Sequence, residues 1–316
     1  MALTKADVLA RTTEMSQEEW KALRRKGIGG SDIGAICGVN PWRSAYSVYL
    51  DKIGELPEKE PNDAMLFGTL IEPIVADVFV ERTGYKVQRR NAILQHPDHP
   101  WAIANVDRII LSKERGNGVL EIKTASEYQA KQWEEGNVPE QYILQLQWYL
   151  FVTGFRWGAF AALVGGNKFF CHEMERDEVL IENMLTIAKD FWHCVETKTP
   201  PTMDGSEDAT NVLKILYPTS RPETEIELDA PEAKQWVEQL EQAKAAKKEA
   251  EALEREAENH LKALMGETEI ARIGEHKITW KTVISRTLDK KALESDHPEI
   301  LEKYMKESVS RRFTLK

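Results

Sequence analysis

The chain has 316 residues, enough for one large domain with an extension or for two domains. Apolar residues make up 42% and charged residues 30%, which excludes a disordered or low-complexity chain and supplies material for a core. The net charge of −10 argues against a general nucleic-acid coat. Basic residues nevertheless cluster at Arg24–Lys26, at Arg89 and Arg90, and at Arg311 and Arg312, so local contact with a polyanion stays open.

No stretch approaches the roughly 18 apolar residues that cross a bilayer. The N-terminus carries acidic and polar residues where a signal peptide needs an apolar run, so the chain reads as cytoplasmic with no membrane partner. Cys37, Cys171 and Cys194 are far apart and form no CxxC pair. They read as small buried thiols, not as a disulfide framework, a zinc site or an iron–sulfur site.

In chain order, residues 16–26 predict a short helix with Ser16 as N-cap and acids in its first turn. The glycine-rich GIGGSDIGAICGVNPW follows, read as a tight loop or as a phosphate cradle of backbone N–H groups. Residues 44–53 read as helix, since Tyr46, Tyr49, Leu50 and Ile53 share a face. Residues 64–83 carry Leu66, Leu70, Ile74, Val78 and Phe79 at helical spacing, with Gly84 as the stop. Three strands are predicted next, over 85–90, 102–111 and 118–124. Pro139 opens a helix to about Val152, ended by Gly154. A hairpin over 157–164 and 167–174 turns at Gly165-Gly166, and a helix covers 177–197.

The composition shifts near residue 200, and a soft boundary falls between 200 and 225. The reading is therefore a domain over 1–220 and a C-terminal extension over 221–316. The extension holds a long charged helix at 231–265 with a narrow apolar stripe, a hairpin, a helix over about 289–307 and a strand-like tail, SRRFTLK. The fold class is α/β, a central mixed sheet flanked by helices, with a helical extension.

The chemistry concentrates in Asn105-Val106-Asp107, thirteen intervening residues, and Glu121-Ile122-Lys123. Strand alternation puts Glu121 and Lys123 on one face, with Leu120 and Ile122 directed to the core. A carboxylate and an ammonium on a buried strand are costly unless they pair or bind something. If the two strands form a hairpin, Asp107 sits beside Glu121. Two carboxylates and a lysine at one point suit a divalent cation with open positions for phosphate and water. A third carboxylate, Glu72, lies on the 64–83 helix among Leu70, Ile71 and Ile74, on a face read as buried. Gln141, Gln145 and Tyr149 line one face of the following helix, where Gln145 and Tyr149 can steer DNA or a lysine side chain.

The phrases RRKGIGGSDIGAICGVNPW, FGTLIEP, ANVDRI, GVLEIKTA and QYILQLQWYL, with the tail phrase KITWKTVISRTLDKKALESDHPEILEKYMKESVSRRF, carry a resemblance. The chain resembles the YqaJ-type viral recombinases, relatives of the lambda exonuclease within the PD-(D/E)xK nucleases. That resemblance spans nearly the whole chain and implies a restriction-endonuclease-like fold and Mg²⁺-dependent DNA cleavage, with Mn²⁺ able to substitute. By position it makes Asp107 and Glu121 metal ligands, with Glu72 near the metal and the Ile122 backbone carbonyl beside them. Lys123 matches the catalytic lysine and Gln145 the glutamine of the next helix. Arg25 and Ser31 are the nearest matches for 5′-phosphate binding, with Arg24 a rival for the arginine. Tyr149 is assigned to the same DNA-binding set.

The activity so implied is a 5′→3′ exonuclease on double-stranded DNA ends that leaves a 3′ single-stranded tail. An endonuclease or flap nuclease with the same site, and an inactive nuclease-fold binding module, are the alternatives. The implied partners are double-stranded DNA ends, a single-strand annealing protein and further copies of the chain in a ring trimer, in a phage- or prophage-encoded protein of the bacterial cytoplasm.

Other features carry plainer readings. Trp42, Trp133 and Trp148 serve either base stacking or packing, with Trp133 the best placed for exposure. His96 and His99 read as loop packing without a third metal partner. Ser31 and Asp32 lack the GxSxG elbow of a hydrolase triad.

Overall fold

The computed structural model describes residues 5–57 and 62–315. The chain divides into two compact units, Met1–Pro218 and Thr219–Lys316.

The first unit begins with β1 (Asp7–Arg11), α1 (Gln17–Arg25), α2 (Gly30–Ile36), α3 (Ala45–Ile53) and α4 (Asp63–Thr83). Helix α1 starts where the sequence places it. The Ser16 side chain accepts from the Glu19 N–H and Glu19 reaches back to the Ser16 N–H, a capping box that contributes about 1 kcal/mol. The glycine-rich phrase is not only a loop: residues 30–36 form α2, which packs on the helix Glu140–Thr153. Gly34 fits there because a Cβ would lie 3.0 Å from Gln141.

Strands β2 (Lys86–Arg89), β3 (Ala92–Gln95), β4 (Ile103–Ala104), β5 (Arg108–Leu111) and β6 (Gly118–Ala125) follow. The unit closes with α5 (Glu140–Thr153), β7 (Trp157–Val164), β8 (Lys168–Glu175), α6 (Glu178–Thr197) and α7 (Glu207–Leu216). The predicted strand over 102–111 is two strands in different sheets. β4 ends a small sheet of order β1-β3-β4, while β5 belongs to a five-stranded mixed sheet of order β2-β5-β6-β7-β8. Residues 105–107 cross between the two sheets, and this break frees Asp107 from either ladder.

Period-two alternation on β6 and β7 distributes the core. Leu120, Ile122, Ala159 and Ala161 face α4 and pack with Val75, Ala76 and Phe79. Val119, Phe160, Ala162 and Val164 join the larger core with α2, α3, α5 and α6. The β6–β7 pair is parallel and in register from Val119↔Gly158 to Ala125↔Val164.

On α4 the sheet covers only the stripe that includes Val75, Ala76 and Phe79. Leu70 and Ile74, read as buried, are exposed by 58% and 60%, together with Met65, Leu66 and Phe67. Trp133, read as exposed, is fully buried and stacks on Tyr142. Trp148 is buried too, whereas Trp42 is the exposed one of the three. His96 packs flat on Phe151 at 4.4 Å. The three cysteines are free and half-buried.

The second unit contains α8 (Pro231–Met265), a hairpin of β9 (Ile270–Ile273) and β10 (His276–Thr279), then α9 (Lys290–Asp296) and α10 (Pro298–Tyr304). The expected single helix over 289–307 is split at His297, which leaves helical geometry before Pro298. The described tail residues form no strand. Val237, Leu253 and Leu264 of the α8 stripe remain exposed. No described helix is long and apolar enough to cross a membrane.

Candidate active site

The β5–β6 pairing runs Arg108↔Leu120, so the next position along brings Asp107 beside Glu121. The Ile122 N–H donates to Asp107 Oδ2 at 2.8 Å, which fixes that carboxylate against β6. Glu121 lies on the α5 face of the sheet. Its Oε1 accepts from Lys123 Nζ at 2.7 Å and from Gln145 Nε2 at 2.6 Å. Lys123 Nζ also donates to Gln145 Oε1 at 3.0 Å and stands 4.7 Å from the Tyr142 ring centre. Gln145 thus grips both charged groups at once.

These groups, with Met65, Thr69 and Glu72, line one cavity of about 310 Å³. Glu121 is 2% exposed, and its second oxygen, Oε2, is buried without a hydrogen-bond partner. Burial and the neighbouring Asp107 push Glu121 up to about 8, against the pull of Lys123. Burial likewise raises Asp107, opposed by Lys123 and the Ile122 N–H. Burial alone would favour neutral Lys123, but Glu121 and Asp107 outweigh it and hold the group protonated. Lys123 therefore stands as a cation and donor beside the two carboxylates.

Glu72 approaches from the other face. It sits on α4, on the side of the sheet that carries Leu120, and there Arg108 NH1 donates to its Oε1 at 2.5 Å. The same guanidinium donates to the Asp107 carbonyl at 2.8 Å. Among the described residues no three His, Cys, Asp or Glu side chains gather into a ready metal cage. Glu72 borders the cavity and pairs with Arg108, while Asp107, just before β5, and Glu121 on β6 lie side by side. Two adjacent carboxylates, Glu121 buried and Asp107 half-buried, both with raised proton affinity and one with an orphaned oxygen, fit a divalent cation.

A second, smaller cavity of about 100 Å³ adjoins this site and is lined by Trp20, Arg24, Gly29, Gly30, Ser31, Asn105 and Tyr149, among others. Arg24 NH2 donates to Ser31 Oγ at 2.7 Å, and its guanidinium lies 4.9 Å from the Trp20 ring centre. The structure therefore joins Ser31 to Arg24. Arg25, the residue first matched by spacing, turns to Asp51 at 3.8 Å and lines a different cavity. Tyr149 connects the two regions. Its ring walls the small cavity, and its hydroxyl accepts from Gln145 Nε2 at 3.1 Å. Burial raises the phenol well above its ordinary range, so it stays neutral. Gly30 permits this placement, since a Cβ there would lie 2.4 Å from the Tyr149 ring.

The YqaJ-like viral recombinase domain matches residues 19–156, the stretch that contains every site residue above. YqaJ of Bacillus subtilis, itself an uncharacterized protein, is 40% identical over 320 residues, spanning 100% of this chain and 99% of its own. The chain belongs to the YqaJ family. Among solved structures, this YqaJ-family chain is similar to LHK-Exo, an alkaline exonuclease from Laribacter hongkongensis solved in complex with dAMP. The match has 24% identity and a TM-score of 0.48, covering 58% of this chain and 94% of that one. A phage-related exonuclease from Haemophilus somnus aligns with a TM-score of 0.40 at 12% identity, over 57% of this chain and 99% of its own.

Sequence reasoning missed Arg108, which pairs with Glu72 at the edge of the cavity. It also missed the charged group around Asp32. Arg108 was available as the residue next to Asp107. Pairing it with Glu72 required knowing that α4 covers the Leu120 face. Lys52 carried a weak signal, a lysine four residues after Val48 and so on the same helical face of α3.

Proposed function

We propose that the chain is a divalent-metal-dependent deoxyribonuclease that degrades double-stranded DNA ends 5′→3′ and leaves 3′ single-stranded tails for recombination. The observation that carries this reading is the convergence of Asp107, Glu121 and Lys123 on one cavity, with Glu121 Oε2 buried and unpartnered. Asp107 and Glu121 hold the cation, with the Ile122 carbonyl as a backbone donor. Mg²⁺ is the natural occupant and Mn²⁺ a substitute. When bound, such a cation polarises a phosphoryl group and lowers the pKa of water.

The chain's own residues do the rest. Lys123, held as an ammonium, stabilises negative charge that develops on the phosphoryl oxygens and orients the attacking water. Gln145 fixes Lys123 and Glu121 in mutual register. Arg24 and Ser31 take the terminal 5′-phosphate in the small cavity, and Tyr149 sets the distance between that phosphate and the scissile bond. Bidentate donation suits an arginine to this task.

Self-association accompanies this reading. The exposed row Met65, Leu66, Phe67, Leu70 and Ile74 on α4 is an apolar patch of the kind that contacts between copies cover. A phage single-strand annealing protein is the natural recipient of the product strand.

The test is digestion with Mg²⁺ of three DNAs side by side: linear with 5′-phosphate, linear with 5′-hydroxyl, and covalently closed circular. Loss of the phosphorylated linear duplex alone, abolished by Lys123→Ala, is the expected result. Cutting of the closed circle makes the enzyme an endonuclease. Inertness of all three with Mg²⁺ and with Mn²⁺ removes the catalytic reading.

A further inference from the structure

Asp32 is fully buried and lines neither of the cavities beside Arg24, yet it is the hub of the charged groups around them. Its Oδ2 accepts from Lys52 Nζ at 2.7 Å and from the Gly29 N–H at 3.0 Å. Its Oδ1 accepts from Arg43 NH1 at 2.7 Å and lies 3.6 Å from Arg24 NH2. Lys52, itself buried, donates to the Arg24 carbonyl at 3.0 Å. Arg24 is thus held at both ends: its backbone by Lys52, its guanidinium by Asp32 and Ser31. Asp51 closes the group, 2.8 Å from Arg43 and 3.8 Å from Arg25.

The charge count is uneven. Among the described residues, Arg24, Arg25, Arg43 and Lys52 form their ion pairs with Asp32 and Asp51; Lys52 is buried, whereas the side chains of Arg24, Arg25 and Arg43 stay 27%, 36% and 26% exposed. Arg24 lines the small cavity, where an anion can take up the donors that the protein leaves to it. Asp32 cannot supply a second charge, and its contact with Arg24 is longer than those with Lys52 and Arg43. The Arg24 guanidinium is therefore oriented without being fully neutralised.

We infer that Asp32 is a positioning residue for end recognition: through Lys52, Gly29 and its neighbour Ser31 it holds Arg24 aimed into the small cavity and still short of negative charge. This rests on the reading of that cavity as the 5′-phosphate site. A carboxylate that served only to join α1, α2 and α3 would affect all DNA ends alike.

The experiment measures binding, not cleavage. Fluorescence anisotropy in EDTA follows a labelled duplex with 5′-phosphate and the same duplex with 5′-hydroxyl, on wild type, Arg24→Ala and Asp32→Asn. The wild type is expected to prefer the phosphorylated end by about tenfold or more, the size of one charged hydrogen bond. Asp32→Asn is expected to bring that preference close to unity while affinity for the hydroxyl end holds. Where Asp32→Asn fails to fold, Asp32→Asn with Lys52→Met removes the buried pair together and is read in the same assay. Retention of the preference in the Asp32 variants, or an equal loss on both ends, overturns the positioning role. If Arg24→Ala loses the preference while Asp32→Asn keeps it, the phosphate site stands and only the role of Asp32 falls. A wild type without preference removes both.

Discussion

The buried carboxylates Asp32 and Glu121 meet opposite surroundings. Asp32 is surrounded by donors. Burial would raise it, but Lys52, Arg24 and Arg43 more than offset that and hold it well below the ordinary carboxylate range. Glu121 and Asp107 share one lysine between them, and both are raised. The contrast separates two uses of a buried charge. A carboxylate satisfied by the protein organises its neighbours, whereas an under-satisfied pair is completed by something the protein does not contain. On the proposed reading, a phosphate completes the first site and a cation the second.

The largest expected effect is on cleavage. Glu121→Gln and Lys123→Ala each lower the rate constant by about 10²–10³-fold or more, measured by single-turnover digestion with circular dichroism unchanged. A rate within tenfold of wild type breaks the assignment of the under-satisfied site.

Asp32→Asn is expected to destabilise the fold by about 3 kcal/mol or more, because three cations lose their carboxylate. Denaturant titration measures this. The sign with pH follows from the depressed Asp32 value: the contribution is complete above the unfolded carboxylate's ordinary value of 3.8 and fades as pH falls below it. The variant therefore shows a flatter acid limb than wild type.

Glu121 has the reverse sign. Its folded value of about 8 stands above the ordinary 4.5, so metal-free wild type loses stability as pH rises from 4.5 towards 8 and then levels off. Glu121→Gln lacks that slope and melts higher than wild type above pH 8 without metal, though it is inactive. Identical melting curves across that range contradict the proposed imbalance.

The smallest effect concerns assembly. Leu70→Glu on the exposed face of α4 leaves the monomer's stability within about 0.5 kcal/mol; on the proposed self-association, it gives a smaller mass than wild type in light scattering. An unchanged mass removes α4 from any contact between copies.

The parts of this comparison were unequally legible in the sequence. Strand β6 was plain, because an apolar run interrupted only at Glu121 and Lys123 has one reading at period two. Ser16 with Glu19 announced α1, and Gly84 and Gly154 announced two helix ends. The break between β4 and β5 was hidden, since residues 102–111 are apolar at both ends and read as one strand, and only long-range pairing divides them. Helix α2 was masked by glycines that are there for close packing against Gln141 and Tyr149. The exposed row of α4 looked like core because spacing shows that a face is apolar, not what covers it. The choice between Arg24 and Arg25 turned on helix rotation, which places Arg24 beside Ser31 and Arg25 beside Asp51. The group around Asp32 was illegible because Lys52, Arg43 and Asp32 meet only after three helices pack.

The most direct test of the central claim is calorimetric titration of Mn²⁺ into metal-free wild type and Glu121→Gln at pH 7 and pH 8.5. The account predicts one site in wild type, released protons at pH 7, tighter binding at pH 8.5 by up to about tenfold, and no such site in the variant. Binding that is absent from wild type, or equal in Glu121→Gln, would contradict it.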